Sequence, residues 1–489
     1  MQSSIPQLVK ACLWPLILAL MPLHLAAQNS ELTGLVTDPA GARVIQARVD
    51  ITDRATLLKR TTTTDAGGLY YFTLPAGTYD IDVAAKGFRP LHRPDVTLDV
   101  AHASRLDFAL ELGTIDQTVT VNSGTESLQQ NASVQNVINT ADLERLPVNG
   151  RNYTHLIALM PGTSDINNAQ QDGTVSGTAM YSVNGNRVQD NSYTIDGIDN
   201  RFFHFESPGA TPPMDSIQEF SVSTNSSAEY GGAAGSIVQA VVKSGTRDLH
   251  GTLYEYLRND RLDANEFFAN LNNLGLVGLK QNQFGAALGG PVYVPKIYPH
   301  RDKLFFFFNY EGFRNSTAST LISTVPTAAE DAGNFQGTGK NIYDPLSSVT
   351  NSKGQITRAL FPDNTIPASE LNPGMQYFLK TFLPAPNLAG TSNGTASNYV
   401  NTTPSTNNRD TFVGRLDYRI NDKNNVFFRV LNQQVAQLAP QSSPVLNNLT
   451  AFNSLDIAVG SDTVLSPSST LEIRVGYHNP YAPVNTTNN

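Results

Sequence analysis

The chain has 489 residues, with 33 Lys and Arg against 42 Asp and Glu and a formal net charge of −9. That balance argues against sequence-independent nucleic-acid binding, which needs basic surface to displace counterions. The single cysteine, Cys12, falls in the N-terminal apolar stretch, which leaves the rest of the chain without disulfides, thiolate metal sites or a cysteine nucleophile.

The first element in chain order reads as an export signal. Met1 to Lys10 is polar with one positive charge, Ala11 to Ala26 is almost wholly apolar, and Ala26-Ala27 precedes Gln28. A basic start, a short apolar core and small residues at its end describe a secretory signal peptide over residues 1–27. The competing reading, a membrane anchor, is weakened by Pro15, Pro22 and a run short of the ~20 apolar residues a spanning helix needs. An exported chain without disulfides leans toward a bacterial envelope. No later run approaches membrane-helix length, so a membrane crossing would have to be a closed β-barrel.

Residues 28–112 alternate short strand patterns with turns. Leu32 to Thr37 leads into Asp38-Pro39-Ala40-Gly41, Val44 to Ile51 follows, Asp65-Ala66-Gly67-Gly68 precedes Leu69 to Phe72, and Pro75-Ala76-Gly77 precedes Thr78 to Val83. Such spacing predicts a β-sandwich. Gly34, Val36, Asp38, Gly41, Thr64, Gly68, Tyr70, Phe72, Gly77, Tyr79, Val83, Gly87 and Phe88 make it resemble the carboxypeptidase regulatory-like domain, a prealbumin-like sandwich. Each of these residues has a packing or turn role, and none suggests peptidase chemistry.

Residues 113–246 change character. Thr118 to Val121 is extended between polar flanks. Thr140 is placed to cap a helical turn over Ala141 to Leu146, which Pro147 stops. Tyr153, Leu156, Ile157 and Met160 recur at helical spacing before Pro161-Gly162. Strands are expected at Tyr181 to Val183, Ser192 to Ile195, Ile217 to Val222 and Ile237 to Val242, giving a small α/β domain. Five ordered blocks here resemble the plug of Oar-like TonB-dependent receptors. They are Leu146 to Tyr153 with Leu159 to Gly162, Val183 to Arg187, Tyr193 to Asn200, Asp215 to Phe220, and Ala228 to Gly231 running on to Lys243 to Thr246. Asp116, Gln117, Thr118, Val119, Thr120 and Val121, just before the plug, resemble a TonB box, and the alternative is a linker or a last sandwich strand. The resemblance implies TonB, energised by ExbB/ExbD, as a partner. An exposed extended segment can add a strand to a partner's sheet.

From residue 247 the pattern is that of amphipathic strands. Phe412, Leu416, Tyr418 and Ile420 alternate with Arg415, Asp417 and Arg419, and Leu471, Ile473, Val475 and Tyr477 with Glu472, Arg474 and His478. Apolar-out, charged-in alternation suits an outer-membrane barrel, although a soluble sandwich alternates identically. Arg258-Asn259-Asp260, Gln283-Phe284-Gly285, Leu288 to Pro291 and Phe305 to Gly312 resemble the first strands of the Oar-like barrel. Residues from about 316 to 408, rich in Pro, Asn, Thr and Ser, read as a long extracellular loop. Roughly seven barrel strands are expected where even small barrels need about eight, and Tyr481 to Asn489 reads as a tail rather than a strand.

The expected fold is therefore mainly β: an N-terminal prealbumin-like β-sandwich, a small α/β plug domain and an incomplete transmembrane β-barrel. No Gly-x-Ser-x-Gly elbow, HExxH or dinucleotide fingerprint is present. Gly337-Thr338-Gly339-Lys340 lacks the first glycine of a phosphate loop, and the histidines are scattered. Asp196, Asp199 and Asn200 invite a calcium site, against which an Asx-stabilised turn is the simpler reading. The resemblance implies no enzyme activity and no cofactor. It implies an energy-coupled receptor or transporter in the outer membrane of a Gram-negative bacterium, in contact with outer-membrane lipid and an extracellular ligand, saccharide or protein, that the residues do not identify. The rivals are an adhesion or export-associated barrel and a soluble carbohydrate-binding surface protein. Plug loops 184–187 and 201–205 are where a ligand could be met.

Overall fold

The computed structural model describes residues 29–488 except 101, 114–118, 121–127, 130–133, 147, 166–180, 203–206, 225–234, 266, 272–275, 319–320, 441–445, 467–468 and 483. The export signal therefore lies outside the described residues.

The sandwich is built from β1 (Ser30–Thr37), β2 (Arg48–Asp53), β3 (Lys59–Thr63), β4 (Leu69–Leu74), β5 (Gly77–Ala84), β6 (Leu91–Leu98), β7 (Ala103–Arg105) and β8 (Phe108–Ala109), with β9 (Val119–Thr120) and β10 (Leu128–Gln129) on its edges. One sheet runs β10-β7-β1-β4 with β8 also on β1, and the other runs β3-β2-β5-β6-β9. Along β1 and β5 every second residue is buried, so Leu32, Val36, Tyr79, Ile81 and Val83 share one core with Val49, Ile51, Tyr70 and Phe72. Asp38 and Asp65 make the turns by accepting backbone N–H groups two and four residues on. β9 falls within the segment 116–121, where the alternative sequence reading is a last sandwich strand, and β10 lies beyond any strand read for this domain.

The plug follows as β11 (Val134–Asn139), a helix at Thr140–Arg145, a 3₁₀ helix at Tyr153–Leu159, β12 (Thr163–Asp165), β13 (Tyr181–Val183), β14 (Ser192–Ile195), β15 (Ile198–Asp199), β16 (Arg201–Phe202), β17 (Ser207–Pro208), β18 (Ile217–Thr224) and β19 (Ser236–Val242). Its main sheet has the order β11-β18-β19-β14-β15. The helix cap differs from the sequence reading. Asn139 caps, accepting from Asp142 N at 3.1 Å, while the Thr140 hydroxyl is turned to the carbonyl of Gln218 and ties the helix to β18. Two adjacent cap-competent residues compete for the role, and the tertiary bond available to Thr140 decides it.

The last region is one antiparallel sheet: β20 (His250–Asn259), β21 (Leu279–Pro291), β22 (Leu304–Thr317), then, past a long connection, β27 (Ser405–Asn421), β28 (Asn424–Pro440), β29 (Leu446–Ser466) and β30 (Ser469–Tyr481). The connection carries its own elements, a pair β23 (Leu321–Ser323) with β26 (Tyr399–Asn401), a hairpin β24 (Val349–Thr350) with β25 (Ile356–Thr357), and a helix at Pro373–Phe382. Against the reading of the C-terminus as a tail, β30 continues through Tyr481 and β31 (Val484–Asn488) pairs with β29 from Leu446 to Thr450. The reason is geometric. β29 has 21 residues and β30 has 13, so the overhang offers unpaired backbone, which Asn and Thr satisfy as well as any residue. Among the described residues β20 and β30 do not pair with each other, and the sheet is open.

Candidate functional site

The charged faces of β27, β28 and β30 meet the plug, and their apolar faces do not. Phe412, Leu416, Tyr418, Ile420 and Phe428 are 42–48% exposed, whereas Arg429 and Leu431 are fully buried. Phe307, Val413 and Leu431 join the plug's own core around Phe220, Ile195 and Met214. The side chains that alternate inward therefore form the wall of a filled lumen, and a soluble sandwich with one wet face does not describe this sheet.

At the centre of that wall is a hairpin tip. Asp196 (φ 48°) and Gly197 (φ 82°) form the two-residue connection between β14 and β15, where both central residues need positive φ, and an Asp-Gly pair suits that turn. The turn projects the Asp196 carboxylate into the barrel wall. One oxygen lies 3.1 Å from Arg415 Nη1 and accepts from Val242 N at 3.1 Å, and the other lies 2.8 Å from Arg429 Nε. Arg415 also donates to the Val242 carbonyl at 2.9 Å and pairs with Asp417 at 2.9 Å. Arg429 continues to Asp456 at 2.8 Å, and His478 Nδ1 lies 3.2 Å from the other Asp456 oxygen. Gly476 on β30 leaves room for the hairpin, since a Cβ there would come within 2.4 Å of Ile198.

A second tether is aromatic and ionic. Arg151, from the Asn149-Gly150-Arg151 turn, pairs with Asp215 at 2.7 Å and lies 4.3 Å over the ring of Tyr256 on β20. Beside it Tyr254 donates to Glu311 at 3.1 Å, with Arg409 3.8 Å from the same carboxylate. The first tether is a set of charge pairs removed from water, whereas the second crosses from plug to barrel through the Arg151 guanidinium over the Tyr256 ring, its Arg151–Asp215 pair lying within the plug.

These three regions match known domain families. Residues 31–111 match the carboxypeptidase regulatory-like domain, residues 127–237 the TonB-dependent receptor plug domain, and residues 241–489 the outer membrane beta barrel domain. The chain belongs to the TonB-dependent outer-membrane receptors. This receptor is 27% identical over 304 residues to the TonB-dependent transporter Oar of Myxococcus xanthus, covering 58% of this chain and 27% of that protein. It thus spans about a quarter of that relative's length. Among solved structures, the outer membrane transporter YddB of Escherichia coli is similar at 12% identity and TM-score 0.43, over 70% of this chain and 38% of that one. The siderophore receptor PirA of Pseudomonas aeruginosa is similar at 14% identity and TM-score 0.39, over 72% and 41%.

Of the candidate TonB-box residues, Asp116, Gln117, Thr118 and Val121 lie outside the described residues. Val119 and Thr120 run parallel to Leu91 and His92 at the edge of the sandwich. Loop 184–187 is a tight turn with Asn184 and Gly185 at positive φ, and of loop 201–205 only Arg201 and Phe202 are described. In the sequence, the plug anchor Asp196 is legible as a turn residue or as part of a calcium site, and not as an anchor. Its signal was the set of arginines alternating inward on the strands, which require a carboxylate partner from elsewhere in the chain.

Proposed function

We propose that the receptor binds a ligand at the cell surface and passes it inward when TonB, energised by ExbB/ExbD, pulls on the segment Asp116 to Val121. The observation that carries this reading is the plug seated in the barrel wall through the buried Asp196–Arg415–Arg429 cluster. A carboxylate on a hairpin tip, gripped by two arginines of the wall, holds the lumen shut until force separates them. Lengths of connection orient the sheet. The turn from β27 to β28 is short, the β22-to-β27 connection is long, and in this architecture short turns face the periplasm. The sandwich, with Val119 and Thr120 on its edge, lies at the short-turn end, the side from which TonB acts, while the outward apolar stripe faces lipid.

Backbone pairing is the recognition mode available to such a segment. Val119→Pro is expected to abolish co-purification with the periplasmic domain of TonB, with membrane insertion intact, and Val119→Ala to retain it. Undiminished co-purification of the proline variant would overturn the assignment.

A further inference from the structure

Three plug side chains grip the backbone of two sandwich loops. Both backbone groups of Val100, just after β6, are taken. Its N–H donates to the Glu219 carboxyl, and its carbonyl accepts from Gln135 Nε2 at 2.7 Å. Gln218 Nε2 donates to the carbonyl of Ala76 at 2.8 Å. Ala76 and Val100 are buried and pack with Val241 of the plug. Glu219 is only 5% exposed, and the neighbouring charge that acts on it is that of Asp99, so what it recognises is a backbone amide rather than a cation. Polar groups buried to this degree are costly unless paired, so the three bonds fix one seating of the sandwich on the plug. Asn29, at the start of the sandwich, adds hydrogen bonds from its side chain to Asp462 and Glu472 on the barrel rim.

The seated sandwich borders a half-open space. A cavity of about 750 Å³ lies between it, the plug and the short-turn ends of the strands, with Ala76 and Thr78 on one wall, Val241 and Thr246 on the second, and Arg415 and Phe427 on the third. Arg415 is also an arm of the Asp196 cluster, so a solute passing a displaced plug enters this space. The described parts of the connection between sandwich and plug, β9 and β10, are paired to the sandwich by two residues each. A pull applied there acts on the sandwich before it reaches the plug sheet at β11.

We propose that the N-terminal sandwich is a cap, seated over the inner outlet by the Gln135–Gln218–Glu219 clamp, which lifts as a step separate from plug displacement. Its purpose rests on the transport reading, but its seating does not, and the test needs neither TonB nor ligand. Ala76→Cys with Val241→Cys, in the chain purified in detergent, is expected to form a disulfide under mild oxidation at least tenfold faster than the control pair Ala42→Cys with Val241→Cys. Adding Gln135→Ala and Glu219→Ala is expected to slow it at least fivefold, while Glu219→Gln, which keeps an acceptor for Val100, retains the fast rate. In a separate chain, Val241→Cys alone, packed against Ala76 and Val100 of the sandwich, is expected to react slowly with a polyethylene-glycol maleimide of about 5 kDa and several-fold faster in the clamp variant. Equal rates for the two cysteine pairs, or labelling of Val241→Cys that ignores the clamp, would overturn the cap. Failure of TonB to bind would leave both outcomes unchanged.

Discussion

Asp196 and Glu219 are both buried plug carboxyls, the first facing the barrel and the second the sandwich, and their neighbours give them different tasks. Asp196 is held by two guanidinium groups, Arg415 and Arg429, and removing it leaves each with one carboxylate, Asp417 for Arg415 and Asp456 for Arg429. Losing one charged hydrogen-bonding partner while the remaining charges keep another costs about 1–3 kcal/mol. Asp196→Ala is therefore expected to lower the stability of the seated plug by that amount, read as a fall in the urea midpoint of plug unfolding. Glu219 has no such charge compensation. Burial first, and the negative charge of Asp99 second, raise its carboxyl from 4.5 to about 8, against the lowering effect of the Val100 N–H bond. Tyr79 of β5 also feels this carboxyl. A group whose pKa is raised by docking favours the docked state fully below its free value and loses that contribution as pH rises through the docked one. Energy transfer between dyes on the sandwich and the barrel is expected to report firm seating at pH 6 and progressive release toward pH 9, with Glu219→Gln flattening the dependence. A seated fraction that rises with pH would contradict the assignment.

At the scale of the element, short pieces are placed by what they touch. The Thr140–Arg145 helix has six residues, too few to be stable alone. It persists because Asn139 caps its first turn and Thr140 binds the carbonyl of Gln218 on β18. Asn139→Ala is expected to weaken the first turn by about 1 kcal/mol, seen as roughly fivefold faster amide exchange at Asp142, with the link to β18 kept. The β14–β15 hairpin shows the converse dependence. Its Asp-Gly turn is locally prescribed, yet its position against the barrel relies on Gly476 of β30 leaving space for Ile198.

Across the whole molecule the three domains are joined by interfaces of different chemistry. Plug and barrel share apolar core and buried ion pairs, whereas plug and sandwich share side chain-to-backbone bonds around a small apolar contact. The second kind has the smaller apolar cluster and, among the described residues, no pair of opposite charges, so it is the weaker seam and the one expected to open first under tension. The barrel sheet is stabilised along its length by paired backbone, while β20 and β30 present free edges among the described residues, the condition under which strands recruit further strands.

The amino-acid sequence by itself determined the local periodicities. Period-two burial in β1, β5, β27 and β30 follows from alternation that any pleated strand must obey, and turns such as Asp65 to Gly68 and Asp196-Gly197 follow from residues that tolerate the required backbone angles. The ordered plug motifs carried the family as well. What only the tertiary structure decided is pairing at long range: that Asp196 meets Arg415 and Arg429 more than two hundred residues later, that Glu219 meets the backbone of Val100, that Asn139 rather than Thr140 caps, and that residues after Tyr481 complete the ladder of β29. These contacts depend on which charges and backbone groups remain unsatisfied once the strands are registered. That is a property of the assembled fold and has no periodic trace along the chain.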